Sequence, residues 1–301
     1  MCAGLTQAEL PSPVIAVDGG GTRCRLVLDR GLGPAGGRVS VETGPANVTS
    51  DFEAALGEIR RGLDLLAGRT GLSADEIAAL PAYLGLAGAS DRAVCARVEA
   101  ALPFARVRVE EDRAAALQGA LGDVDGAIVH CGTGSFFGLR QGGHTRFVGG
   151  WGSRLGDEAS SFWVGRSALT GTLAAVDGLR PPSPLSEALR DRWDGAAGLV
   201  AFAAHATPGE IGEIARDVTA AARDADPLGR EVMQAGAAHI AEMLDRLGWT
   251  PGVAIAFTGG CAPEYAPYLP EPMRAALVPA AAPPIEGAVA LARAFAAEGA
   301  P

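Results

Sequence analysis

Apolar and polar positions follow two periods along the first third of the chain. Short apolar runs predict buried strands, whereas apolar residues spaced three or four positions apart predict amphipathic helices. The predicted strands cover residues 14–17, 24–28, 82–87 and 106–110, and the predicted helices cover residues 51–69, 91–102 and 113–121. Strands that alternate with helices are typical of an α/β fold with a mixed sheet covered on both faces.

The rest of the chain repeats this pattern. A hairpin is predicted over residues 127–139, and an irregular stretch follows at 143–157. The remaining predicted elements are helices at 160–175, 209–223 and 228–247, a strand at 253–257 and a last helix at 285–298. This repetition indicates two α/β lobes.

A glycine-rich turn occurs twice, each time between two predicted strands. The first turn reads DGGGT at residues 18–22, and the second reads CGTGS at residues 131–135. Glycine reaches positive φ and lets backbone N–H groups surround an anion, so two such turns predict a polyphosphate site. Ordinary hairpins are the alternative, but two-residue hairpin loops favour Asn-Gly or Asp-Gly over three or four small residues.

The chain contains no lysine, because all 25 residues counted as Lys or Arg are arginine. This excludes the Walker A phosphate loop, the protein-kinase fold and Schiff-base chemistry, all of which need a lysine. A Rossmann fingerprint fails as well, because Cys24 stands where its third glycine would be. Phosphate binding is therefore expected to use backbone amides, hydroxyl groups and a metal ion.

The net charge and the spacing of cysteines and histidines argue against several classes of partner and of metal site. The formal net charge of −10 argues against nucleic acids and anionic membranes. The five cysteines show no CxxC spacing, which favours free thiols in a reducing compartment. The four histidines show no zinc-binding pattern, and no apolar run is long enough to span a membrane.

Asp18 ends the first predicted strand and opens the first glycine turn. A carboxylate beside phosphates fits a role through Mg²⁺, which uses one or two carboxylates together with substrate phosphates. The alternative is an Asx-type turn. Thr22, at the end of the same turn, can offer its hydroxyl to a phosphate.

Asp112 follows the strand predicted at 106–110. A carboxylate at a strand end is well placed to act as a general base in phosphoryl transfer. The alternative is a cap for the helix that follows. Glu110 and Glu111 are weaker candidates for the same role.

The segment at 149–158 combines four glycines and a tryptophan with two acidic residues. Such a segment makes a poor helix or strand and suits a loop that approaches a ligand closely. Trp151 can stack on the apolar face of a sugar, while the acids accept hydrogen bonds from hydroxyl groups. The alternative is that Asp157 or Glu158 starts the following helix.

Together these segments resemble the acetate and sugar kinase/Hsp70/actin superfamily, and within it the N-acetylglucosamine kinase and glucosamine kinase family of BadF/BadG/BcrA/BcrD-type ATPases. DGGGT and HCGTGS are similar to the two phosphate motifs of that family. FTGGCAPEY at 257–265 is similar to its adenosine motif, and GPAN at 44–47 to a sugar-binding element. GGWGSRLGDEASS at 149–161 resembles GGWGxxxGDEGS, with Ala159 in place of a glycine.

The resemblance assigns a role to each matching residue. It implies Asp112 as the catalytic base and Asp18 as a ligand of Mg²⁺ through water. The implied ATP-binding residues are Asp18, Gly19, Gly20, Gly21, Thr22, Gly132, Thr133, Gly134, Ser135, Gly259 and Gly260. The implied sugar-binding residues are Asn47, Thr133, Gly150, Trp151, Gly152 and Asp157.

The fold implied by the resemblance is a two-lobed, actin-like (ribonuclease H-like) α/β ATPase fold with a nucleotide and sugar cleft between the lobes. The expected N-terminal lobe covers residues 1–112, with a C-terminal helix at 285–301 packing back on it. The expected C-terminal lobe covers residues 113–284.

The implied function is ATP-dependent phosphorylation of N-acetylglucosamine at its C6 hydroxyl, with glucosamine as the alternative substrate. An activator-type ATPase is disfavoured because no cysteine pair is available to bridge a cluster. A non-catalytic sugar sensor is disfavoured by the carboxylates Asp18 and Asp112. We expect a cytoplasmic homodimer that acts on a small-molecule amino sugar, without nucleic-acid or membrane partners.

Overall fold

The computed structural model describes residues 12–31 and 37–298. The chain divides into two compact units, one made of the residues up to Asp123 and from Ala281 onwards, and one made of Val124–Ala280. The helix that follows Asp112 belongs to the first unit in this division, whereas the sequence analysis placed residues 113–284 in the second lobe. Residues 1–11 and 299–301 of the expected N-terminal lobe lie outside the described residues.

Each unit contains a five-stranded mixed sheet. The strands of the first sheet are β1 (Val14–Gly19), β2 (Cys24–Asp29), β3 (Arg38–Thr43), β4 (Ala82–Leu86) and β5 (Val107–Glu111). Those of the second are β6 (Gly126–Cys131), β7 (Ser135–Gln141), β8 (His144–Gly149), β9 (Ile255–Thr258) and β10 (Leu277–Val278). The strand orders are β3-β2-β1-β4-β5 and β8-β7-β6-β9-β10, so the two units share one topology. In both, an antiparallel three-stranded meander adjoins two parallel strands.

The helices also separate between the two units. The first unit contains α1 (Phe52–Thr70), α2 (Ala74–Ala78), α3 (Arg92–Ala101), α4 (Asp112–Leu121) and α12 (Pro284–Ala297). The second contains α5 (Ser161–Val176), α6 (Pro184–Arg192), α7 (Ala196–His205), α8 (Pro208–Glu213), α9 (Ala215–Arg223), α10 (Pro227–Leu247) and α11 (Glu271–Ala275), with a 3₁₀ helix at Ala262–Tyr268.

Strand β1 of the first unit is buried on both faces, and its side chains alternate between them. On β1, Ile15 and Val17 belong to the larger core cluster, which includes apolar residues of α1 and α3. Val14 and Ala16 belong to a second cluster together with residues of α4 and α12. The near-continuous apolar character of β1 follows from this double burial.

Helix α12 is held on the first unit by arginine contacts. Arg293 donates from Nε to Asp29 Oδ2 at 3.1 Å. Arg38 donates to Glu286 Oε2 at 2.5 Å, and Arg106 donates to the carbonyl of Ala296 at 3.1 Å. The C-terminal helix therefore completes the first unit.

The second unit builds its main core on one face of its sheet. Ala127, Val129 and Cys131 of β6 pack in this core, which also contains buried residues of α5 and α10. Since side chains alternate along a strand, His130 of β6 projects from the opposite face.

Three local predictions were wrong. The stretch at 143–157 is not wholly irregular, because His144–Gly149 forms β8. This edge strand is exposed over half its length, so it lacks the apolar alternation that identifies a strand. The helix predicted at 209–223 is two helices, α8 and α9. The prolines at 181–184 predict a loop, which ends one residue early because Pro184 begins α6. Within the described residues no helix is both long and apolar enough to cross a membrane.

Candidate functional site

The first unit collects its predicted site residues at one edge of its sheet. Strands β1, β4 and β5 are parallel, so their carboxyl ends lie at the same edge. Asp18 of β1 lies opposite Gly85 of β4, which in turn lies opposite Glu110 of β5. Asp112 comes two residues after Glu110, so Asp18 and Asp112 occupy this edge on either side of β4.

The first glycine turn leaves room beside its backbone. None of the three glycines, Gly19, Gly20 and Gly21, has positive φ, so the expectation of left-handed backbone was wrong here. A Cβ at Gly19 would lie 2.6 Å from Leu86 Cδ2, so packing requires that glycine. A Cβ at Gly21 would meet nothing within 4 Å, and one at Gly20 only Arg23 O at 3.6 Å. Neither conformation nor packing within the protein requires glycine at these two positions.

Asp18 and Asp112 repel each other at this edge. Burial raises the pKa of Asp18, and the charges of Arg25 and Arg23 oppose the rise. Burial also raises the pKa of Asp112, to about 7, and the negative charge of Asp18 adds to the rise. A cation would relieve this repulsion, and Mg²⁺ accepts one or two carboxylates with water and phosphate as its other ligands. Among the described residues no group of three or more His, Cys, Asp or Glu side chains could hold a metal.

Asp112 is the first residue of α4 and not its cap. The cap position is Glu111, whose side chain makes no capping hydrogen bond. Arg113 pairs with the Glu111 carboxylate, so that carboxylate is already engaged within the protein. The alternative in which Asp112 occupies the cap position of the helix was therefore wrong.

Asn47 lies in a segment attached to the same edge. Ala46 N donates to Gly20 O at 2.9 Å, and Val48 N donates to Ala87 O after β4 at 3.0 Å. The Asn47 side chain accepts hydrogen bonds at Oδ1 from Thr49 N, at 2.9 Å, and from Ser50 N, at 3.0 Å. These bonds use its carbonyl oxygen and fix the orientation of its amide group, whose Nδ2 can donate to a ligand.

In the second unit, the second glycine turn lies against the loop after β9. Strands β6 and β9 are parallel, and Cys261 N donates to Cys131 O at 2.9 Å. Gly259 has a φ of 81°, and a Cβ there would lie 2.6 Å from Gly132 N. This glycine is required both by its backbone conformation and by its close approach to the turn, whereas a Cβ at Gly260 would meet nothing within 4 Å.

The second turn is tightly packed. A Cβ at Gly134 would lie 3.0 Å from Asp157 Oδ2. Gly132 O accepts a hydrogen bond from Ser161 N at 2.8 Å, and the Ser135 hydroxyl donates to Glu158 O at 2.6 Å. The Ser135 hydroxyl is thus engaged within the protein, while Thr133 is exposed at the tip of the turn.

The loop after β8 presents Trp151 to solvent, with 68% of the residue exposed. The φ values of Gly149, Gly150 and Gly152 are 77°, 77° and 84°, so these glycines have the left-handed backbone that other residues rarely adopt. The tight turns leave the indole ring free to contact a ligand.

Asp157 joins this loop to the second turn. Its carboxylate is buried and accepts hydrogen bonds from the backbone N–H groups of Ser135, at 3.3 Å, and of Gly152. Burial raises its pKa, and these bonds oppose the rise. The cap of α5 is Ser160, which accepts from Trp163 N at 3.1 Å. The alternative in which Asp157 or Glu158 starts that helix was therefore wrong.

Ala159 stands where the similar motif has a glycine, and its backbone conformation shows why a glycine suits this position. Its φ is 67°, in the left-handed region that favours glycine. Its side chain is fully buried, and its carbonyl accepts a hydrogen bond from the Tyr265 hydroxyl at 2.9 Å. The chain holds this turn conformation without the glycine.

The structure therefore groups the predicted site residues into one set in each unit. The first set contains Asp18, Gly19, Gly20, Gly21, Thr22, Asn47 and Asp112. The second contains Gly132, Thr133, Gly134, Ser135, Gly150, Trp151, Gly152, Asp157, Gly259 and Gly260. No role was predicted for His130, although its ring lies beside Gly132. The sequence did carry a signal for this proximity. His130 comes two residues before Gly132, and residues two apart lie on the same face of a strand.

Comparisons with known proteins identify the family of the chain. The model of the BadF/BadG/BcrA/BcrD ATPase family matches residues 15–291. The chain is 30% identical over 277 residues to the glucosamine kinase GspK of Vibrio cholerae serotype O1, covering 91% of this chain and 94% of that protein. It is 31% identical over 176 residues to the N-acetylmuramic acid/N-acetylglucosamine kinase of Clostridium acetobutylicum, covering 54% of each.

Solved structures show the same fold. A Chromobacterium violaceum protein provisionally named N-acetylglucosamine kinase is 30% identical, with a TM-score of 0.81 and coverage of 93% of this chain and 98% of that one. A ROK family glucokinase from Streptomyces griseus is 20% identical, with a TM-score of 0.56 and coverage of 94% and 100%. The predicted actin-like α/β fold is confirmed.

Proposed function

The chain belongs to the BadF/BadG/BcrA/BcrD ATPase family, and we propose that it is an ATP-dependent amino-sugar kinase. One observation carries the proposal: neither the backbone conformation at Gly21 nor packing within the protein requires a glycine there. Space reserved for a ligand accounts for its lack of a side chain. The neighbouring repulsion between Asp18 and Asp112 fits a ligand that carries a cation.

In this proposal Asp112 is the general base. It takes the proton from the C6 hydroxyl of the sugar while that oxygen attacks the γ-phosphorus of ATP. The bond from this phosphorus to the β–γ bridging oxygen breaks, and ADP leaves. A base works best when its pKa lies near the working pH, and burial and Asp18 together raise the pKa of Asp112 to about 7. Backbone N–H groups of the two glycine turns donate to the phosphate oxygens and stabilise the charge that develops on them.

Asp18 is the residue that would hold Mg²⁺, through a water molecule. When bound, the ion neutralises negative charge on the phosphates of ATP. Asp18 fits this role because it lies at the start of the turn and is only partly buried, where a hydrated ion has access. The charges of Arg25 and Arg23 oppose the rise in the pKa of its carboxyl that burial causes.

The proposed sugar-binding residues are Asn47 of the first unit and Thr133, Gly150, Trp151, Gly152 and Asp157 of the second. Asn47 can donate from Nδ2, because its Oδ1 is already used by the backbone. The exposed indole of Trp151 offers an apolar surface for stacking on a sugar ring. Asp157 holds the loop that carries the indole, in addition to any bond to the sugar.

N-acetylglucosamine is the proposed substrate, with glucosamine as the alternative. The name of the Chromobacterium violaceum structure supports the first, and the name of the Vibrio cholerae relative supports the second. We further propose that the protein works as a cytoplasmic homodimer, which light scattering of the purified protein in solution tests.

A coupled assay of ADP release against a panel of sugars tests the proposed function. We expect slow hydrolysis of ATP alone and strong acceleration by N-acetylglucosamine or glucosamine, with loss of activity when Mg²⁺ is chelated. The control is Asp112→Asn, which should bind ATP but show little acceleration. Rapid hydrolysis that no sugar changes would contradict the proposal and favour an activator-type ATPase.

A further inference from the structure

His130 lies beside the second glycine turn and has no role in the proposed mechanism so far. Its imidazole stacks on the ring of Phe136, its partner across β6 and β7, with centroids 4.9 Å apart and an angle of 14° between the ring planes. This stacking, on the face of the sheet opposite the main core, fixes the plane of the imidazole ring.

The two ring nitrogens of His130 have different surroundings. Nδ1 lies 3.1 Å from the hydroxyl oxygen of Thr258 on the neighbouring strand β9. Nε2 lies 2.9 Å from the position that a Cβ of Gly132 would occupy. One nitrogen is therefore anchored within the sheet, while the other is directed at the first glycine of the turn.

The imidazole is neutral near pH 7, because burial lowers its pKa to about 4. A neutral imidazole donates from one nitrogen and accepts at the other. If the Thr258 hydroxyl donates to Nδ1, the hydrogen of the ring is on Nε2. The imidazole then presents a neutral N–H donor beside the turn.

We propose that His130 is a nucleotide-binding residue whose Nε2–H donates to an oxygen of the β- or γ-phosphate of ATP seated on the second glycine turn. The inference rests on the proposed function, because it concerns the same nucleotide. Thr258 acts as a positioning residue that selects the required tautomer. The chain contains no lysine, so no lysine side chain can bind phosphate at this turn. The Nε2–H of His130 adds a side-chain donor to the backbone N–H groups of the turn.

The test compares nucleotides of different phosphate length in calorimetry without sugar. His130→Phe retains an aromatic ring for stacking on Phe136 and loses both nitrogens. We expect its Kd for ATP to rise about tenfold or more, as for a lost hydrogen bond to a charged group, and its Kd for AMP to change less than about twofold. AMP is the matched control because it lacks the β- and γ-phosphates.

Thr258→Val is the second variant, since valine suits a strand and leaves the imidazole present without its anchor. We expect a smaller loss of ATP affinity, about threefold, at an unchanged melting temperature. Sugar KM should stay within about twofold of the wild-type value in both variants. His130→Gln, which retains an N–H donor, should recover part of the lost affinity for ATP.

Two results would overturn the inference. One is an unchanged ATP affinity in folded His130→Phe, and the other is an equal loss for ATP and AMP. If His130→Phe does not fold, an unchanged ATP affinity in Thr258→Val overturns it instead. A wild-type protein that binds ATP and phosphorylates an amino sugar keeps the proposed function even then, whereas a wild-type protein that binds no ATP overturns both.

Discussion

The two glycine turns occupy equivalent places in two sheets of the same topology, yet their glycines are needed for different reasons. In the first turn a Cβ at Gly21 would meet nothing within 4 Å. In the second, a Cβ at Gly134 would press on the Asp157 carboxylate, and one at Gly132 would lie 2.9 Å from His130 Nε2. The first turn is open beside its backbone, and the second is packed against its own unit.

This difference shows that a motif does not fix the role of each of its residues. A substitution at Gly20 or Gly21 of the open turn changes the space left for a ligand and little else. A substitution at the packed turn also displaces Asp157, which holds the loop of Trp151. If the second turn binds nucleotide and the Trp151 loop binds sugar, as proposed, a substitution in this turn should affect both ligands.

The largest effect is expected for a substitution of Asp112, in the first unit, which carries the open turn. Asp112→Asn should lower kcat by about 10²–10⁴-fold, the usual contribution of a general base, with a modest change in sugar KM. In the wild type, kcat/KM should fall as the pH drops below about 7, because the carboxylate of Asp112 becomes protonated there. Steady-state assays from pH 5.5 to 8.5 test both points. A near-normal kcat in the variant would place the base elsewhere.

The next prediction compares the turns directly. Gly21→Val should raise the Kd for ATP by at least about tenfold and leave the melting temperature nearly unchanged, because its side chain enters open space. Gly134→Val should weaken ATP binding and also destabilise the protein by about 1–3 kcal/mol through overpacking against Asp157. Calorimetry and thermal unfolding of both variants measure these effects. Equal stability losses in the two variants would contradict the distinction between an open and a packed turn.

Asp157→Ala tests the connection that Asp157 makes between the second glycine turn and the loop of Trp151. The variant loses a buried acceptor of two backbone N–H groups, so we expect about 1–3 kcal/mol less stability and a sugar KM raised several-fold. The KM for ATP should change less. Asp157→Asn keeps one acceptor oxygen, so its stability and its sugar KM should lie between those of Asp157→Ala and the wild type. Lost stability with an unchanged sugar KM would remove Asp157 from the sugar site.

The smallest effect is expected at Ala159. Glycine there relieves about 1–2 kcal/mol of left-handed backbone strain, but it loses a buried methyl group and adds flexibility to the unfolded chain, each worth about 0.5–1 kcal/mol. Ala159→Gly should therefore shift the melting temperature by no more than about 3 °C and leave the sugar preference unchanged. A changed ratio of kcat/KM for N-acetylglucosamine and glucosamine would show that Ala159 influences substrate choice.

Much of the fold could be predicted from the sequence, although β3, α2, α6 and α7 were not predicted. Helix α1 was placed within one residue at each end, because its apolar positions repeat with the helical period and Asp51 caps it. Strand β8 was missed because an exposed edge strand needs no apolar alternation. The break between α8 and α9 at Ile214 was missed because the apolar pattern continues through it.

The candidate site was predicted from its motifs, and the structure adds the reason for each residue. No sequence pattern shows that Gly21 faces open space while Gly134 abuts a carboxylate, because these contacts join residues far apart in the chain. The same holds for the effect of Asp18 on Asp112 and for the ring of His130 beside Gly132. Long-range packing decides these features, and local spacing does not encode it.

The return of α12 to the first unit has a consequence for how the protein is made. One face of β1 is covered by Ile285, Ala288 and Val289, which are synthesised about 270 residues after Val14. At roughly 5–20 residues per second, that face waits about 15–50 s on the ribosome for its cover. The second unit is continuous in sequence and does not include α12. We therefore expect released chains truncated before residue 284 to protect the second unit from proteolysis and to leave the first unit sensitive.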